Sequence, residues 1–210
     1  MTVLVPASGD PPPREALEAA VEALSGGQVV GLPTDTVYGL AVDPVRPGAT
    51  DRLFATKSRP RTVELPVLVA DVDQALGLAT AVPETARALM DRWWPGALTL
   101  VLPRRPDLAM DLGSDEATIG IRCPDHAVPR ALARSCGPLA TTSANRHGEP
   151  PITTAAGVAE VLGEAVALVL DAGTCAGTPS TVVDCTGAEP RCLREGRLAW
   201  EVVRASAYGA

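Results

Sequence analysis

Apolar residues at Leu17, Ala20, Val21 and Leu24 recur at helical spacing over 14–24, and Gly26-Gly27 supplies the stop. The next run, 28–32, is short and continuously apolar before Pro33, the pattern of a strand buried on both faces. Comparable patterns alternate along the rest of the chain. Helices are predicted over 50–56, 83–94, 126–135 and 153–162. Strands are predicted over 65–69, 97–102, 118–122, 139–142, 167–170, 181–185 and 191–194. Some strands follow one another directly and others are separated by helices. That order predicts an α/β (α+β) fold, one twisted mixed sheet with flanking helices. No repeat or low-complexity linker interrupts it, and the Pro/Gly-rich stretch at 43–48 reads as an ordinary connector. A single domain over 1–210 is expected.

At 210 residues a chain buries roughly 70% of its unfolded surface, so its core needs no metal or disulfide staple. The net charge of -7 argues against a protein that coats nucleic acid, while leaving room for a local basic groove. Five cysteines form no C-x-x-C pair, and only two histidines, His126 and His147, are present. No structural metal site is expected, and free thiols in a reducing compartment are. The N-terminus lacks the basic and apolar regions of a signal peptide, and no apolar run approaches the ~20 residues of a membrane helix. A cytoplasmic protein without membrane contact is the expectation.

Several chemistries are missing. The only lysine, Lys57, follows Thr56, so there is no Walker A loop; nor is there a G-x-G-x-x-G after a strand, an H-E-x-x-H or a G-x-S-x-G. The candidates lie instead where strand-like runs end in small hydroxyl residues. In Pro33-Thr34-Asp35-Thr36-Val37-Tyr38, an extended backbone would aim the hydroxyls of Thr34, Thr36 and Tyr38 to one side, toward a small polar ligand. A turn capped by its own Thr and Asp side chains reads equally from these residues.

Lys57-Ser58-Arg59-Pro60-Arg61 packs three cations at a helix end, as a polyphosphate partner or the helix dipole would favour. Lys57 is the single lysine among eighteen Lys and Arg residues, and Asn145 is the only asparagine. In a chain this arginine-rich, a retained lysine suggests a need for a compact ammonium. Asn145 closes Thr141-Thr142-Ser143-Ala144-Asn145. Arg122 and Arg194 each stand at a strand exit, and Pro179-Ser180-Thr181 leads into a strand.

In this order the segments resemble the YrdC-like family of threonylcarbamoyl-AMP synthases. The resemblance rests on P-T-D-T-V-Y-G-L, K-S-R-P, W-P-G-A-L-T-L-V-L at 94–102, T-I-G-I-R-C-P, T-S-A-N, P-S-T-V-V-D and R-E-G, spanning about 15–200. It implies a concave cationic cleft and an enzyme, a nucleotidyltransferase, that joins L-threonine, bicarbonate and ATP into threonylcarbamoyl-AMP and pyrophosphate. Mg²⁺ would accompany ATP. tRNA would be reached indirectly, through a separate transferase, with a weak direct RNA contact left open.

By matching position, the resemblance implies Thr34, Thr36, Arg122 and Thr181 for threonine. It implies Lys57, Arg61, Thr118, Thr141, Ser143, Asn145, Pro151 and Arg194 for ATP, and Lys57, Arg59 and Arg122 for catalysis. Threonine carbamate attacking the α-phosphate needs positioning and cations more than a protein nucleophile. After the cationic cluster this chain departs from many relatives, and Glu64 either weakens phosphate binding or points away. Two rival readings are a non-catalytic relative that binds RNA and a carbamoyl-adenylate former that uses carbamoyl phosphate.

Overall fold

The computed structural model describes residues 2–57, 61, 64–113, 117–146 and 148–208. Ten strands form one mixed sheet: β1 (Val3–Pro6), β2 (Val30–Leu32), β3 (Gly39–Val42), β4 (Val67–Leu68), β5 (Leu98–Pro103), β6 (Thr118–Arg122), β7 (Leu139–Ser143), β8 (Leu168–Asp171), β9 (Thr181–Asp184) and β10 (Arg191–Arg194). Their spatial order is β1-β8-β2-β3-β7-β4-β6-β5-β9-β10. Pairings of β1 with β8, β8 with β2, β4 with β6 and β5 with β9 are parallel, and the rest are antiparallel. The expected mixed sheet is therefore the observed one, and it runs almost the whole length of the chain.

Period-two alternation divides the core between the two faces. Val30, Leu32, Ala41 and Leu68 pack with helices α1 (Arg14–Ser25) and α5 (Ala127–Cys136) on one side. Val29, Leu40, Val42, Val67 and Val69 face the other. That second side is covered by α2 (Ala49–Lys57), α4 (Glu84–Trp93), α6 (Ala155–Leu162) and α7 (Trp200–Ser206), with short α3 (Val72–Leu76) beside them. Strands buried on both faces explain why the apolar runs read as continuous rather than alternating.

Four elements were not anticipated: β1, β3, α3 and α7. β1 is an edge strand with Val3 and Leu4 exposed, so it lacks the burial signature that marks the central strands. β3 is buried throughout and lies behind the hydroxyl-rich segment that obscured its start. Lys57 is the last residue of α2, one position beyond the helix expected over 50–56.

The five cysteines are free. Burial pushes the Cys123 thiol up to about 11 and that of Cys185 up to about 12, so both stay protonated near neutrality. Among the described residues, no helix is long and apolar enough to cross a membrane, and no cluster of three or more metal-ligating side chains occurs.

Candidate active site: a cleft across the central strands

A cleft of about 370 Å³ crosses the middle of the sheet. Gly39 of β3, Thr141 to Ser143 of β7, Leu68 of β4, Arg122 of β6, Thr99 of β5 and Arg194 of β10 contribute in turn to its lining. Its volume falls within the range of small-ligand sites.

One rim is the turn between β2 and β3. Thr34 Oγ1 accepts from the backbone N–H groups of Thr36 and Val37, both at 3.1 Å, and donates to the Val37 carbonyl at 2.7 Å. This is a hydroxyl-capped turn, not an extended segment. The expected alignment of three hydroxyls fails for that reason. Thr34 and Thr36 line the cleft, whereas Tyr38 is fully buried with its hydroxyl donating to the Gly173 carbonyl at 2.9 Å. Burial drives the Tyr38 pKa well above its ordinary value, so it stays a neutral donor.

Arg122 is the buried cation of the site. Its Nε donates to the Gly96 carbonyl at 2.9 Å, Nη1 to Thr36 Oγ1 at 2.8 Å and Nη2 to Asp35 Oδ1 at 2.5 Å. The two charged side chains are only 8% and 15% exposed. Burial lowers the Arg122 pKa, Asp35 opposes that shift, and nearby Arg194 adds to it. A guanidinium nonetheless remains charged, so the cleft keeps a fixed positive fork. His126 supplies no acid or base here. Its Nδ1 accepts from the Val128 backbone N–H as the N-cap of α5, and burial lowers its pKa.

A second rim is another hydroxyl–arginine pair. Ser180 Oγ and Thr99 Oγ1 lie 2.9 Å apart, and Arg194 Nη2 reaches the Ser180 carbonyl at 2.9 Å. Ser180 lines the cleft but Thr181 does not. Thr181 is fully buried, donates to the Leu198 carbonyl at 2.6 Å, and accepts from the backbone N–H groups of Gly196 and Leu198. Consecutive residues entering a strand point to opposite faces, so only one of the two can face a ligand. Alternation allows one of Ser180 and Thr181 to face the cleft, and the fold makes it Ser180 rather than the expected Thr181.

Gly196 makes this rim possible. A side chain there would collide with the Pro179 carbonyl oxygen and sit 2.6 Å from Ser180 C. Gly196→Ala is expected to cost about 1–3 kcal/mol through forced backbone displacement. Because the displaced segment holds Ser180 and Arg194, ligand affinity should fall with it. A thermal melt and an ATP titration check this, and an unchanged melt would contradict it.

The nucleotide-type segment lies at the end of β7. Ser143, Asn145 and Pro151 line the cleft with Thr141. Asn145 Nδ2 donates to the carbonyls of Arg146 and Glu149 at 2.8 and 2.7 Å, which fixes the amide and leaves Oδ1 a buried acceptor with no hydrogen bond. Lys57, only 5% exposed, donates from Nζ to the Ser143 carbonyl at 2.6 Å and to the Asn145 carbonyl. The two solitary residues of the composition are thus in direct contact.

Other expected residues lie elsewhere. Thr118 is half-buried outside the cleft, and its hydroxyl faces Glu64 Oε2 at 3.4 Å; Glu64 likewise does not line the cleft. Arg61 binds Asp111 at 2.7 and 2.8 Å and also Asp51, on the wall of a larger cleft of about 770 Å³. That cleft is lined by Arg46, Arg61, Arg104 and Arg105, but Asp43, Asp51, Asp107 and Asp111 pair with three of these and Arg104 donates to the Leu108 and Met110 carbonyls. It is electrostatically balanced and offers an anion little. Arg59 lies outside the described residues. Pro66, Leu68, Thr99 and Glu149 line the site without having been singled out in the sequence.

The Sua5_yciO_yrdC family model, described as "Telomere recombination", matches residues 22–196. This chain belongs to that Sua5/YciO/YrdC family. A Mycobacterium tuberculosis protein is 42% identical over 196 residues, covering 91% of this chain and 89% of the relative. Bacillus subtilis threonylcarbamoyl-AMP synthase is 40% identical over 196 residues, covering 92% of this chain and 56% of its own. The crystal structure of P. abyssi Sua5 complexed with L-threonine superposes with a TM-score of 0.89 at 33% identity, covering 98% of this chain and 61% of that one. The chain thus spans somewhat over half the length of these two longer family members. The shared fold extends over nearly the whole of this chain.

Proposed function

We propose that this chain is an L-threonylcarbamoyladenylate synthase of the cytoplasm, making threonylcarbamoyl-AMP from L-threonine, bicarbonate and ATP. The reading is carried by one observation. Thr36, Arg122, Asn145, Ser180 and Arg194 line a single cleft. A relative of the same fold is known complexed with L-threonine.

Arg122 takes the threonine carboxylate through its remaining N–H groups, because a carboxylate is the natural partner of a guanidinium fork. The amine condenses with bicarbonate to a carbamate, releasing water. A carbamate oxygen then attacks the α-phosphorus of ATP, the bond from that phosphorus to the bridging oxygen breaks, and pyrophosphate leaves with the electron pair. Arg194 and Ser180 stand in the same cleft for the adenylate. Asn145 Oδ1, which can only accept, takes the exocyclic amine of adenine and so gains its missing partner.

Lys57 holds the Ser143 and Asn145 carbonyls in place. Of the other cations expected at the phosphates, Arg61 joins them only by leaving Asp111. Mg²⁺ entering with the nucleotide would be held chiefly by phosphate oxygens and water, and Glu149 is the carboxylate among the described lining residues that would reach it. The product passes to a separate transferase that modifies tRNA.

Asn145→Ala is expected to weaken ATP about tenfold through loss of a buried hydrogen bond, while leaving threonine affinity unchanged. Calorimetric titration of each ligand separately checks it. Equal ATP affinity in the variant and the parent would count against the adenine assignment.

A further inference from the structure

The register of the sheet sets a row of polar side chains along the cleft. Leu98, Leu100, Ile121 and Val183 face the core, so Thr99 and Arg122, which alternate with them, face the cleft. Pairing of Leu100 with Ile121 puts Thr99 of β5 beside Arg122 of β6 at the next position. Thr99 pairs with Val182 of β9, and Val182 with Arg194 of β10, so the row continues to the edge strand. Ser180 lies two residues before Val182 and on the same face, and its Oγ closes on Thr99 Oγ1 at 2.9 Å. In strand order the hydroxyl pair therefore stands between the two arginines of the site.

The pair has one proton more than it uses. Two hydroxyls carry two protons, and the bond between them takes one. Arg194 Nη2 donates to Ser180 Oγ at 3.3 Å and cannot accept the other. Among the described residues, no carbonyl or carboxylate accepts from either hydroxyl. Whichever of the two is the donor, one hydroxyl proton is left for the contents of the cleft. Both side chains are almost wholly buried, where an unpaired donor costs about 1–3 kcal/mol, so the site calls for an acceptor at this point.

We propose that Thr99, together with Ser180, holds an oxygen of the one-carbon unit, first of bicarbonate and then of the threonine carbamate, and so is a catalytic residue. This rests on the synthase reading. On that reading the threonine carboxylate sits at Arg122 and the adenylate at Arg194. The carbamate joins the two, and the hydroxyl pair is what the strand order puts between them. Addition of the amine to the bicarbonate carbon forms a C–N bond and gathers negative charge on the oxygens of that carbon. The hydroxyl of bicarbonate then leaves as water with one amine proton. A hydrogen bond from the pair stabilises the gathered charge. It then holds one carbamate oxygen while the other meets the α-phosphorus, and no proton passes to or from the protein.

The test follows pyrophosphate release against bicarbonate concentration in Thr99→Val, Thr99→Ser and Ser180→Ala, with calorimetric affinities for ATP and threonine and a thermal melt of each. Thr99→Val keeps the shape and loses the hydroxyl. It should lower kcat/KM for bicarbonate about 10–100-fold while both affinities stay within about threefold of the parent. Thr99→Ser loses a methyl group and keeps the hydroxyl, so it should remain within about threefold of the parent. A packing role for Thr99 predicts the reverse order, with serine worse than valine. Ser180→Ala should show the same selective loss as Thr99→Val.

Parental bicarbonate kinetics in Thr99→Val, or a valine variant that outperforms serine, would overturn the proposal. So would a loss of threonine or ATP affinity as large as the loss for bicarbonate, since the pair would then serve a different ligand. If Thr99→Val melts below the parent, Ser180→Ala decides by the same criteria. A parent protein that releases no pyrophosphate with all three substrates refutes the synthase reading itself, an outcome distinct from a variant that fails beside an active parent.

Discussion

Arg122→Gln is expected to lower stability by about 3–5 kcal/mol and to reduce pyrophosphate release by about two to three orders of magnitude, or about 3–4 kcal/mol. Removing the guanidinium leaves Asp35 in a site only 15% exposed, with its Oδ1 stripped of the charge that offset its desolvation. The Gly96 carbonyl and the Thr36 hydroxyl lose their donor in the same step. Arg122→Lys separates the two effects. It keeps a positive charge beside Asp35, so part of the stability should return. A point charge cannot reach three partners in three directions and still present a fork to a carboxylate, so activity should not return. Denaturant unfolding and the KM for threonine measure the two parts. A lysine variant with near-normal KM would show that Arg122 supplies charge alone.

Lys57→Arg should lower pyrophosphate release about 100-fold despite preserving charge, the loss expected when a segment lining the site shifts by about 1 Å. The ammonium is compact, almost wholly buried, and directed at the Ser143 and Asn145 carbonyls. A longer planar guanidinium cannot point its N–H groups at both from the end of α2 without pushing 143–145 outward. ATP affinity should weaken in parallel, because Asn145 moves with its carbonyl. Lys57→Met should damage the site as well, through two carbonyls left without this donor at about 1–3 kcal/mol each. A wild-type rate in Lys57→Arg would remove the reason for a lone lysine.

The fold was legible in most elements buried along a continuous face. α1, α4 and α5 declare themselves by periodicity and the central strands other than β3 by short apolar runs, with boundaries within a few residues of those expected. β3, though buried throughout, is masked by the hydroxyl-rich segment before it. β1 and α7 did not, because an edge strand and a short terminal helix bury too little to leave a pattern. The site was legible through residue types rather than geometry. Thr34, Thr36, Arg122, Thr141, Ser143, Asn145, Pro151 and Arg194 were all singled out and all line one cleft.

What the sequence could not carry was side-chain direction. Tyr38 turns into the core because Thr34 caps a turn instead of extending it. Arg61 turns to Asp111, fifty positions away, a pairing that only the folded chain brings about. Thr181 commits its hydroxyl to the backbone of Gly196 and Leu198, and Ser180, adjacent in sequence and opposite in direction, takes the place by the cleft.

The most direct measurement is pyrophosphate release by the purified chain with ATP and Mg²⁺, omitting threonine and bicarbonate in turn, and substituting carbamoyl phosphate in a parallel series. Release that requires both threonine and bicarbonate, with carbamoyl phosphate unable to replace them, is the predicted result. Release supported by carbamoyl phosphate without threonine, or no release under any combination despite tight salt-sensitive binding of tRNA, would contradict it.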